Sequence, residues 1–245
     1  AAVAAAKEAF NTWSKTPKQE RSDILMKLAD AIEKNFEELV KAESKDNGKP
    51  ESLAAHVDIP RAPANIRFFA GAILHDSAKV HEMDGMAINY TIRKPLGVAA
   101  CISPWNLPLY LLTWKVAPAL AAGNTVVAKP SEVTPMTAYL FSKICIEAGL
   151  PKGVLNIVHG LGSKVGDPLT THPDVPVVSF TGGTVTGKHI ASITAPMFKK
   201  LSLELGGKNP NIIFDDADFE KAVSIAARAA FTNQGQICLC GSRLF

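Results

Sequence analysis

From Gly97 onward, short apolar runs alternate with helical patterns, and no other feature of the sequence constrains the fold as strongly. The runs are continuous, which is typical of strands buried on both faces of a parallel sheet. Strands that alternate with helices predict an α/β fold in which helices cover both faces of that sheet. The predicted strands span residues 98–102, 125–128, 154–158, 177–180 and 201–205, and the predicted helices span 107–121, 134–149 and 184–194.

The residues before Gly97 are predicted to be mainly helical. Apolar residues recur at three- and four-residue spacing over residues 20–43, which predicts one amphipathic helix that is ended by Gly48-Lys49-Pro50. A further helix over residues 51–76 is predicted to break near Pro60 and Pro63.

Two further segments lie outside the main alternation. Residues 87–93 alternate as a half-buried strand does, and a strand so far from the central sheet suits an oligomerisation hairpin. Residues 211–214 and 218–232 predict a strand and a helix that begin a second alternation. Thr134 and Pro135 are predicted to cap and open the helix that they precede.

Composition excludes several classes of protein. Of the 245 residues, 47% are hydrophobic and 20% are charged, as in soluble globular proteins. A net charge of +3 with scattered lysines and arginines argues against a nucleic-acid partner. No apolar run reaches the ~18–20 residues of a membrane span, so no membrane partner is predicted.

The cysteines bear on compartment and on metal binding. Four cysteines in a chain of this length do not indicate a disulfide framework, which favours a reducing, cytoplasmic location. Cys238 and Cys240 are too close in sequence for a usual zinc pair, so no metal site is predicted.

Polar residues follow two of the predicted strands, where a parallel sheet binds its ligands. Asn106, within residues 104–108, either stabilises a turn or aims its amide at a developing oxyanion. Lys129 and Glu132 follow the next strand. They either form a solvated salt bridge or hold a dinucleotide ribose, with the carboxylate accepting a hydrogen bond from the 2′-hydroxyl.

Two glycine-rich segments could bind phosphate through backbone N–H groups. Residues 180–187, Phe-Thr-Gly-Gly-Thr-Val-Thr-Gly, open a predicted helix, and a helix N-terminus is a ready site for a pyrophosphate. Residues 160–166 offer a second backbone cradle. Neither segment has the usual G-x-G-x-x-G spacing, so each is also consistent with a simple entry into a helix.

A carboxylate and a thiol late in the sequence supply the minimum pair for covalent catalysis on a carbonyl. Glu204 ends an apolar predicted strand, where burial is expected to raise the pKa of its carboxyl group and make it a usable base. Cys238 follows the run Asn-Gln-Gly-Gln-Ile and is the predicted nucleophile. Cys240 is expected to be a buried packing residue, the commoner role of a cysteine.

The order and separation of the segments at 203–208 and 233–238 resemble the NAD-dependent aldehyde dehydrogenases, and residues 58–61, 103–115 and 236–240 extend the resemblance. The resemblance implies Cys238 as nucleophile and Glu204 as general base. It also implies Asn106 and the Cys238 amide as an oxyanion hole, with Lys115 near Glu204 as a proton relay. The cofactor would be NAD, held by Ile102, Ser103, Pro104, Trp105, Lys129, Ser131, Glu132, Gly162, Gly166, Phe180, Thr181, Gly182, Gly183, Leu205 and Gly206.

The same resemblance places Arg61, Leu107 and Trp114 at the substrate site. Because an arginine can bind a carboxylate through two hydrogen bonds, the implied reaction is oxidation of a carboxylate-bearing semialdehyde. Retinal or an aliphatic aldehyde is the alternative substrate, and neither would use Arg61. A second alternative is an inactive, truncated fragment that binds nucleotide or only packs with a partner.

The resemblance also divides the chain. It implies a Rossmann-like NAD-binding domain in residues 1–76 and 96–206, an oligomerisation hairpin in 77–95, and the truncated start of a catalytic domain in 207–245. Homo-oligomers are expected for the full-length relatives, which run to about twice this length. The sequence begins like the middle of a helix, and the 245-residue chain is expected to be a fragment that is inactive by itself.

One residue departs from the pattern of the family. Gly183 replaces the serine that usually follows Phe-Thr-Gly. The missing hydroxyl removes one phosphate or helix-cap contact, whereas the backbone N–H remains available.

Overall fold

The computed structural model describes residues 1–245. Its helices are α1 (Ala2–Trp13), α2 (Lys18–Lys34), α3 (Phe36–Asn47), α4 (Glu51–Leu53), α5 (Arg61–Ala72), α6 (Pro108–Ala121), α7 (Met136–Glu147), α8 (Asp167–Thr170), α9 (Thr184–Thr194) and α10 (Phe219–Phe231). Short π or 3₁₀ turns lie at Ala54–Asp58, Ile73–His75, Gly162–Gly166, Ala195–Met197 and Thr232–Gly235.

Nine strands form three sheets. They are β1 (Val80–Met83), β2 (Ala87–Tyr90), β3 (Val98–Ile102), β4 (Thr125–Lys129), β5 (Leu155–Ile157), β6 (Val177–Thr181), β7 (Lys200–Glu204), β8 (Pro210–Asn211) and β9 (Arg243–Leu244). The central sheet has the order β5-β4-β3-β6-β7, and all of its pairs are parallel. The predicted α/β fold with a parallel sheet is therefore confirmed.

Successive residues of the central strands enter two separate hydrophobic cores. Ala99 and Cys101 of β3 pack with residues of α6 and α7, such as Leu112 and Phe141. The alternate residues of β3 pack instead with α1, α8 and α9, through side chains that include Val3, Leu169 and Ile190. Because side chains of a strand alternate between faces, helices cover both faces of the sheet, which is why the strands are continuously apolar.

The predicted helix over residues 20–43 is wrong, since two helices replace it. The chain leaves helical geometry at Asn35 (φ −101°, ψ 18°), between α2 and α3. The Asn35 side chain donates to the Ala31 carbonyl at 2.8 Å, and such local bonds compete with helix propagation. The apolar spacing continues across the break, so periodicity alone does not reveal it. Gly48 ends α3 with φ 84°, a conformation that glycine adopts without strain.

Two local predictions about prolines and caps are also corrected. Pro60 precedes α5, but Pro63 lies within its first turn, where the missing N–H costs no hydrogen bond. Thr134 does not cap α7. The cap position is Pro135, and the buried Thr134 hydroxyl has no hydrogen-bond partner.

Strands β1 and β2 form an antiparallel hairpin apart from the central sheet. All of their residues are exposed, including Val80, Ile88 and Tyr90. An assembly role for this hairpin stays a prediction. Across the whole chain, no helix has the length and apolar character that a membrane crossing requires.

The strand predicted at 211–214 is shorter than expected. Only Pro210–Asn211 is a strand, and it pairs in parallel with β9. The predicted helix that follows corresponds to α10, whose N-terminus is capped by the Asp218 carboxylate, which accepts from the Lys221 N–H at 3.1 Å. Helix α10 has no buried residue, and Phe219, among others, is exposed.

Candidate active site

The candidate site lies at one edge of the central sheet, where β3, β4, β6 and β7 end. Ile102 is paired with both Lys129 and Phe180, and Thr181 is paired with Glu204. The chain runs from β3 to β4 and β5 on one side and then returns to β6 and β7 on the other. The ends of β3 and β6 therefore flank the topological switch point, where open α/β sheets bind ligands.

A cavity of about 460 Å³ opens at this switch point. It brings together every residue predicted to hold a dinucleotide except Leu205 and Gly206. Sequence reasoning missed part of its lining, namely Ser163, Asp167, Thr170, Thr186, His189 and Ile190. Ser163 and Thr186 lie within the two glycine-rich segments, although the sequence pattern singles out neither of them. No motif marks the other four residues, which reach the cavity from α8 and α9.

Leu205 lies behind the cavity rather than in its wall. A Cβ built on Gly187 would be 2.4 Å from the Leu205 side chain, so Leu205 packs closely under the first turns of α9. Gly206 approaches Thr184 in the same region, with 3.7 Å between a Cβ at Gly206 and the Thr184 hydroxyl. Both residues therefore support the helix that borders the cavity.

Helix α9 begins at the cavity with no side chain capping its N-terminus. Gly183 occupies the cap position with φ −70°, which any residue can adopt, and a Cβ there would meet no atom within 4 Å. A serine would fit at this position. Glycine at this position therefore lacks the hydroxyl that could cap the helix, but the backbone conformation is one that serine could adopt. The uncapped N–H groups of the first turn remain suited to binding an anion.

Lys129 and Glu132 form an ion pair within the cavity wall. The Lys129 Nζ atom lies 3.0 Å from a Glu132 carboxylate oxygen, and the lysine side chain is buried whereas Glu132 is partly exposed. Hydrogen bonds from the Glu132 backbone N–H and from Lys129 lower the pKa of Glu132. The salt bridge and a ribose-binding role are thus compatible, because the ion pair faces the cavity.

The predicted nucleophile is exposed, and an irregular backbone precedes it. Cys238 is a free, exposed thiol, whereas Cys240 is buried as expected. Asn233 and Gln234 both have left-handed backbone geometry, with φ 53° and 59°. Such a conformation costs on the order of 1–3 kcal/mol for each residue other than glycine, and it persists only where surrounding contacts impose it.

Those contacts join the thiol segment to the Asn106 loop. The Asn106 Nδ2 atom donates to the Gln236 carbonyl at 2.6 Å. In return, the Asn233 Nδ2 atom donates to the Asn106 carbonyl at 3.0 Å. This reciprocal pair fixes the amide predicted for the oxyanion hole two residues from the predicted nucleophile.

The Glu204 segment approaches the thiol segment as well. A Cβ on Gly207 would lie 2.6 Å from the Cys238 carbonyl oxygen, so only glycine permits this approach. The Asn209 Nδ2 atom donates to the same carbonyl at 2.6 Å. Segments that are separate in sequence, at 203–209 and 233–240, are therefore adjacent in the fold.

The expectation that Glu204 is buried is wrong. Glu204 is exposed at the end of β7, which is an edge strand with no neighbour on its outer side. An apolar strand sequence predicts burial only where other elements cover the strand.

Lys115, in contrast, is buried close to Glu204. The two side chains line a cavity of about 380 Å³, and the Lys115 Nζ atom donates to the Ser179 hydroxyl at 3.2 Å. Burial lowers the pKa of Lys115, whereas the nearby Cys101 and Glu204 raise it. Burial also raises the pKa of Cys101 to about 12, so this thiol stays protonated and does not compete with Cys238 as a nucleophile.

The three predicted substrate residues lie on or beside α5 and α6. The Arg61 guanidinium stacks 5.1 Å from the centroid of the Tyr110 ring, and Tyr110 packs edge-on against Trp114. Leu107 is buried, whereas Arg61 and Trp114 are exposed. Trp114 also lines the cavity that contains Glu204 and Lys115.

A parallel sheet with a switch-point cavity and an uncapped helix N-terminus defines a dinucleotide-binding domain of the α/β class. The aldehyde dehydrogenase family model matches residues 1–245, and the chain belongs to that family.

Two curated relatives carry muconic semialdehyde names. A 2-aminomuconic semialdehyde dehydrogenase of Danio rerio is 59% identical over 100% of this chain and 50% of its own length. A 2-hydroxymuconic semialdehyde dehydrogenase of Pseudomonas sp. (strain CF600) is 49% identical over 100% of this chain and 52% of its own length. The chain thus spans about half the length of the curated relatives it matches.

The solved structures agree with the fold. The NAD⁺ complex of an aldehyde dehydrogenase from Bacillus cereus superposes with a TM-score of 0.98 at 44% identity, covering 100% of this chain and 50% of that one.

Proposed function

We propose that this chain supplies the cofactor-binding site and the nucleophile of an NAD-dependent aldehyde dehydrogenase. The single observation that carries the proposal is the hydrogen-bonded contact between the Asn106 loop and the Cys238 segment. The contact holds a carboxamide against Gln236, two residues before the exposed thiol, and Trp105, next to Asn106, lines the switch-point cavity. A carboxamide donor and a thiol in neighbouring segments support acyl-transfer chemistry.

In the proposed reaction, the Cys238 thiolate attacks the aldehyde carbon to form a thiohemiacetal. The Asn106 amide and the Cys238 backbone N–H stabilise the oxyanion that develops. After oxidation, Glu204 removes a proton from the water that hydrolyses the thioester, and the carboxylic acid leaves. Lys115, which is buried beside Glu204, relays that proton.

The residues of the switch-point cavity fit NAD. The buried Ser103 hydroxyl lines this cavity without any hydrogen-bond partner in the protein, and the uncapped start of α9 suits the pyrophosphate. Lys129 and Glu132 would hold the adenosine ribose. When bound, NAD⁺ supplies the hydride acceptor for the oxidation.

The proposed substrate is a carboxylate-bearing semialdehyde of the 2-aminomuconate type. Arg61 supports this class because its guanidinium is exposed, and its side-chain contacts are with the ring and the hydroxyl of Tyr110 rather than with a carboxylate. This substrate would place the enzyme in the kynurenine route of tryptophan catabolism, as a cytoplasmic homo-oligomer. Retinal or an aliphatic aldehyde is the competing substrate class.

The test of the proposal uses a completed enzyme, defined as residues 1–245 joined to the second half of the Danio rerio relative. We expect aldehyde-dependent NADH formation, with one carboxylic acid produced for each NADH. Residues 1–245 alone serve as the comparison. NAD binding without any oxidation by the completed enzyme would favour a nucleotide-binding role instead.

Cofactor preference provides a second measurement. The Glu132 carboxylate would repel a 2′-phosphate, so the completed enzyme is expected to use NAD in preference to NADP. The substitution Glu132→Gln should narrow the ratio of kcat/KM between the two cofactors. Glu147→Gln, at an exposed position on α7, is the matched control and should leave the ratio unchanged. A preference for NADP in the unsubstituted enzyme would contradict the ribose assignment.

Substrate class depends on Arg61. Loss of a charge-assisted hydrogen bond costs roughly 1.5–3 kcal/mol, so Arg61→Ala should raise KM for an acidic semialdehyde by one to two orders of magnitude. For a neutral aldehyde the change should be small. Arg67→Ala is the control, because Arg67 lies on the same helix and is paired with Asp30 and Glu33. Equal effects of Arg61→Ala on both substrates would remove the argument for a carboxylate.

A further inference from the structure

Three ionisable side chains that the proposed chemistry does not use are buried beneath the Asn106 loop. Glu43, Lys49 and Asp58 are each at most 1% exposed. Burying charged groups is costly unless they are paired, so a cluster of this kind requires compensating contacts. One of these contacts joins the cluster to the Asn106 loop of the candidate active site.

Lys49 makes two of these contacts. Its ammonium donates to the Asp58 carboxylate, with which it forms a fully buried ion pair, and to the Asn106 carbonyl oxygen at 3.0 Å. Two residues earlier, the Asn47 Nδ2 atom donates to the Trp105 carbonyl at 2.7 Å. Asn47 and Lys49, which flank the left-handed Gly48 at the end of α3, therefore bind the carbonyls of the adjacent residues Trp105 and Asn106.

The protonation states favour a single ion pair. Burial, together with the nearby Asp58, raises the pKa of Glu43 to about 8, so this carboxyl group is mainly neutral at pH 7. Its Oε1 atom lies 3.5 Å from the Leu109 N–H at the start of α6. Burial raises the pKa of Asp58 as well, whereas its contact with Lys49 lowers it. Lys49 pairs with Asp58, and its ammonium is directed to one carbonyl of the loop.

The opposite side of the loop contacts the thiol segment. The Asn106 carbonyl accepts from Lys49 and also from Asn233, while the Asn106 side chain donates to the Gln236 carbonyl. The peptide and the side chain of Asn106 are thus held between a buried cation and the nucleophile segment. A rotation of this peptide would move the Asn106 amide, which is the proposed oxyanion donor.

We propose that Asn47 and Lys49 are positioning residues that set the direction of the Asn106 amide toward the oxyanion. The inference rests on the proposed function, because it assigns to Asn106 a role in stabilising the transition state. It predicts a loss in kcat rather than in binding, since the oxyanion exists only after attack.

The test is a double-mutant cycle in the completed enzyme. The paired substitution Lys49→Met with Asp58→Asn removes the ion pair without leaving a lone buried charge. We expect this paired variant to lower kcat at least about tenfold, while KM for NAD and for the aldehyde stays nearly unchanged. The loss should not exceed the roughly 10²- to 10³-fold loss in kcat expected for Asn106→Ala. In the Asn106→Ala background the same substitutions should cause almost no further loss, because the group that they position is absent.

A second cycle combines Asn47→Ala, at a partly exposed position, with Asn106→Ala. It tests the inference even if the paired variant does not fold. Losses that multiply with that of Asn106→Ala would show a general structural role and overturn the inference. Losses confined to KM would overturn it as well. Absence of NADH formation from the unsubstituted completed enzyme would instead contradict the proposed function itself, and the inference with it.

Discussion

Replacing Cys238 by alanine is expected to abolish aldehyde oxidation by the completed enzyme. No other thiol can replace it: Cys101 and Cys145 are buried at the sheet, and burial raises the pKa of both. Loss of the nucleophile in covalent catalysis costs on the order of 10⁶ in kcat. The measurement is NADH formation at saturating aldehyde.

Cys240→Ala is the matched control for this substitution. Cys240 is two residues away and buried, with its sulfur 4.0 Å from the Thr232 carbonyl oxygen. The alanine variant should keep most of the activity, since it removes only a small buried side chain. Equal losses from the two substitutions would contradict the assignment of Cys238.

Glu204→Gln is expected to separate the two halves of the reaction. The first turnover does not need the base, so a burst of about one NADH per active site should remain. Steady turnover should fall by roughly 10²- to 10⁴-fold, the usual contribution of a general base, because hydrolysis of the thioester needs an activated water. Stopped-flow absorbance of NADH resolves the burst from the steady rate.

The control for this experiment is the reactivity of the thiol. Alkylation of Cys238 should proceed in the Glu204→Gln variant, since the substitution keeps the shape of the side chain. If the burst disappears while Cys238 remains reactive, Glu204 acts before hydride leaves and has a role other than hydrolysis. Ser202→Ala, on the same strand and in the same cavity, should change neither phase.

The central sheet could be predicted from the sequence because its information is local. Strands β3, β4 and β6 are short apolar runs between helical patterns, and their observed ends agree with prediction to within one residue. The break at Asn35 could not be predicted in this way. A side-chain hydrogen bond of Asn35 accompanies the break, and the apolar spacing continues through it unchanged.

The candidate site could be predicted from the sequence only for residues whose chemical type suits a ligand and which directly follow a predicted strand. Glycines, Lys129 and Glu132 lie at strand ends, so the topology of a parallel sheet suffices to bring them together. His189 and Asp167 reach the same cavity from two different helices, and their side chains are in contact at 3.1 Å. No local sequence pattern predicts that these two residues meet. The exposure of Glu204 depends on what lies beside an edge strand, which the apolar pattern of β7 does not report.

The position of β3 in the sheet has a kinetic consequence. On one side, Ala99 of β3 pairs with Val126 of β4, and a single helix connects these two strands. On the other side, Ala99 pairs with Val177 of β6, and three helices and two strands lie between them in the sequence. Closing the longer loop costs more entropy and is the slower event. The dinucleotide cavity lies across that second pairing, so it comes into existence only when the late event is complete. A ligand of the cavity would therefore slow unfolding without accelerating folding.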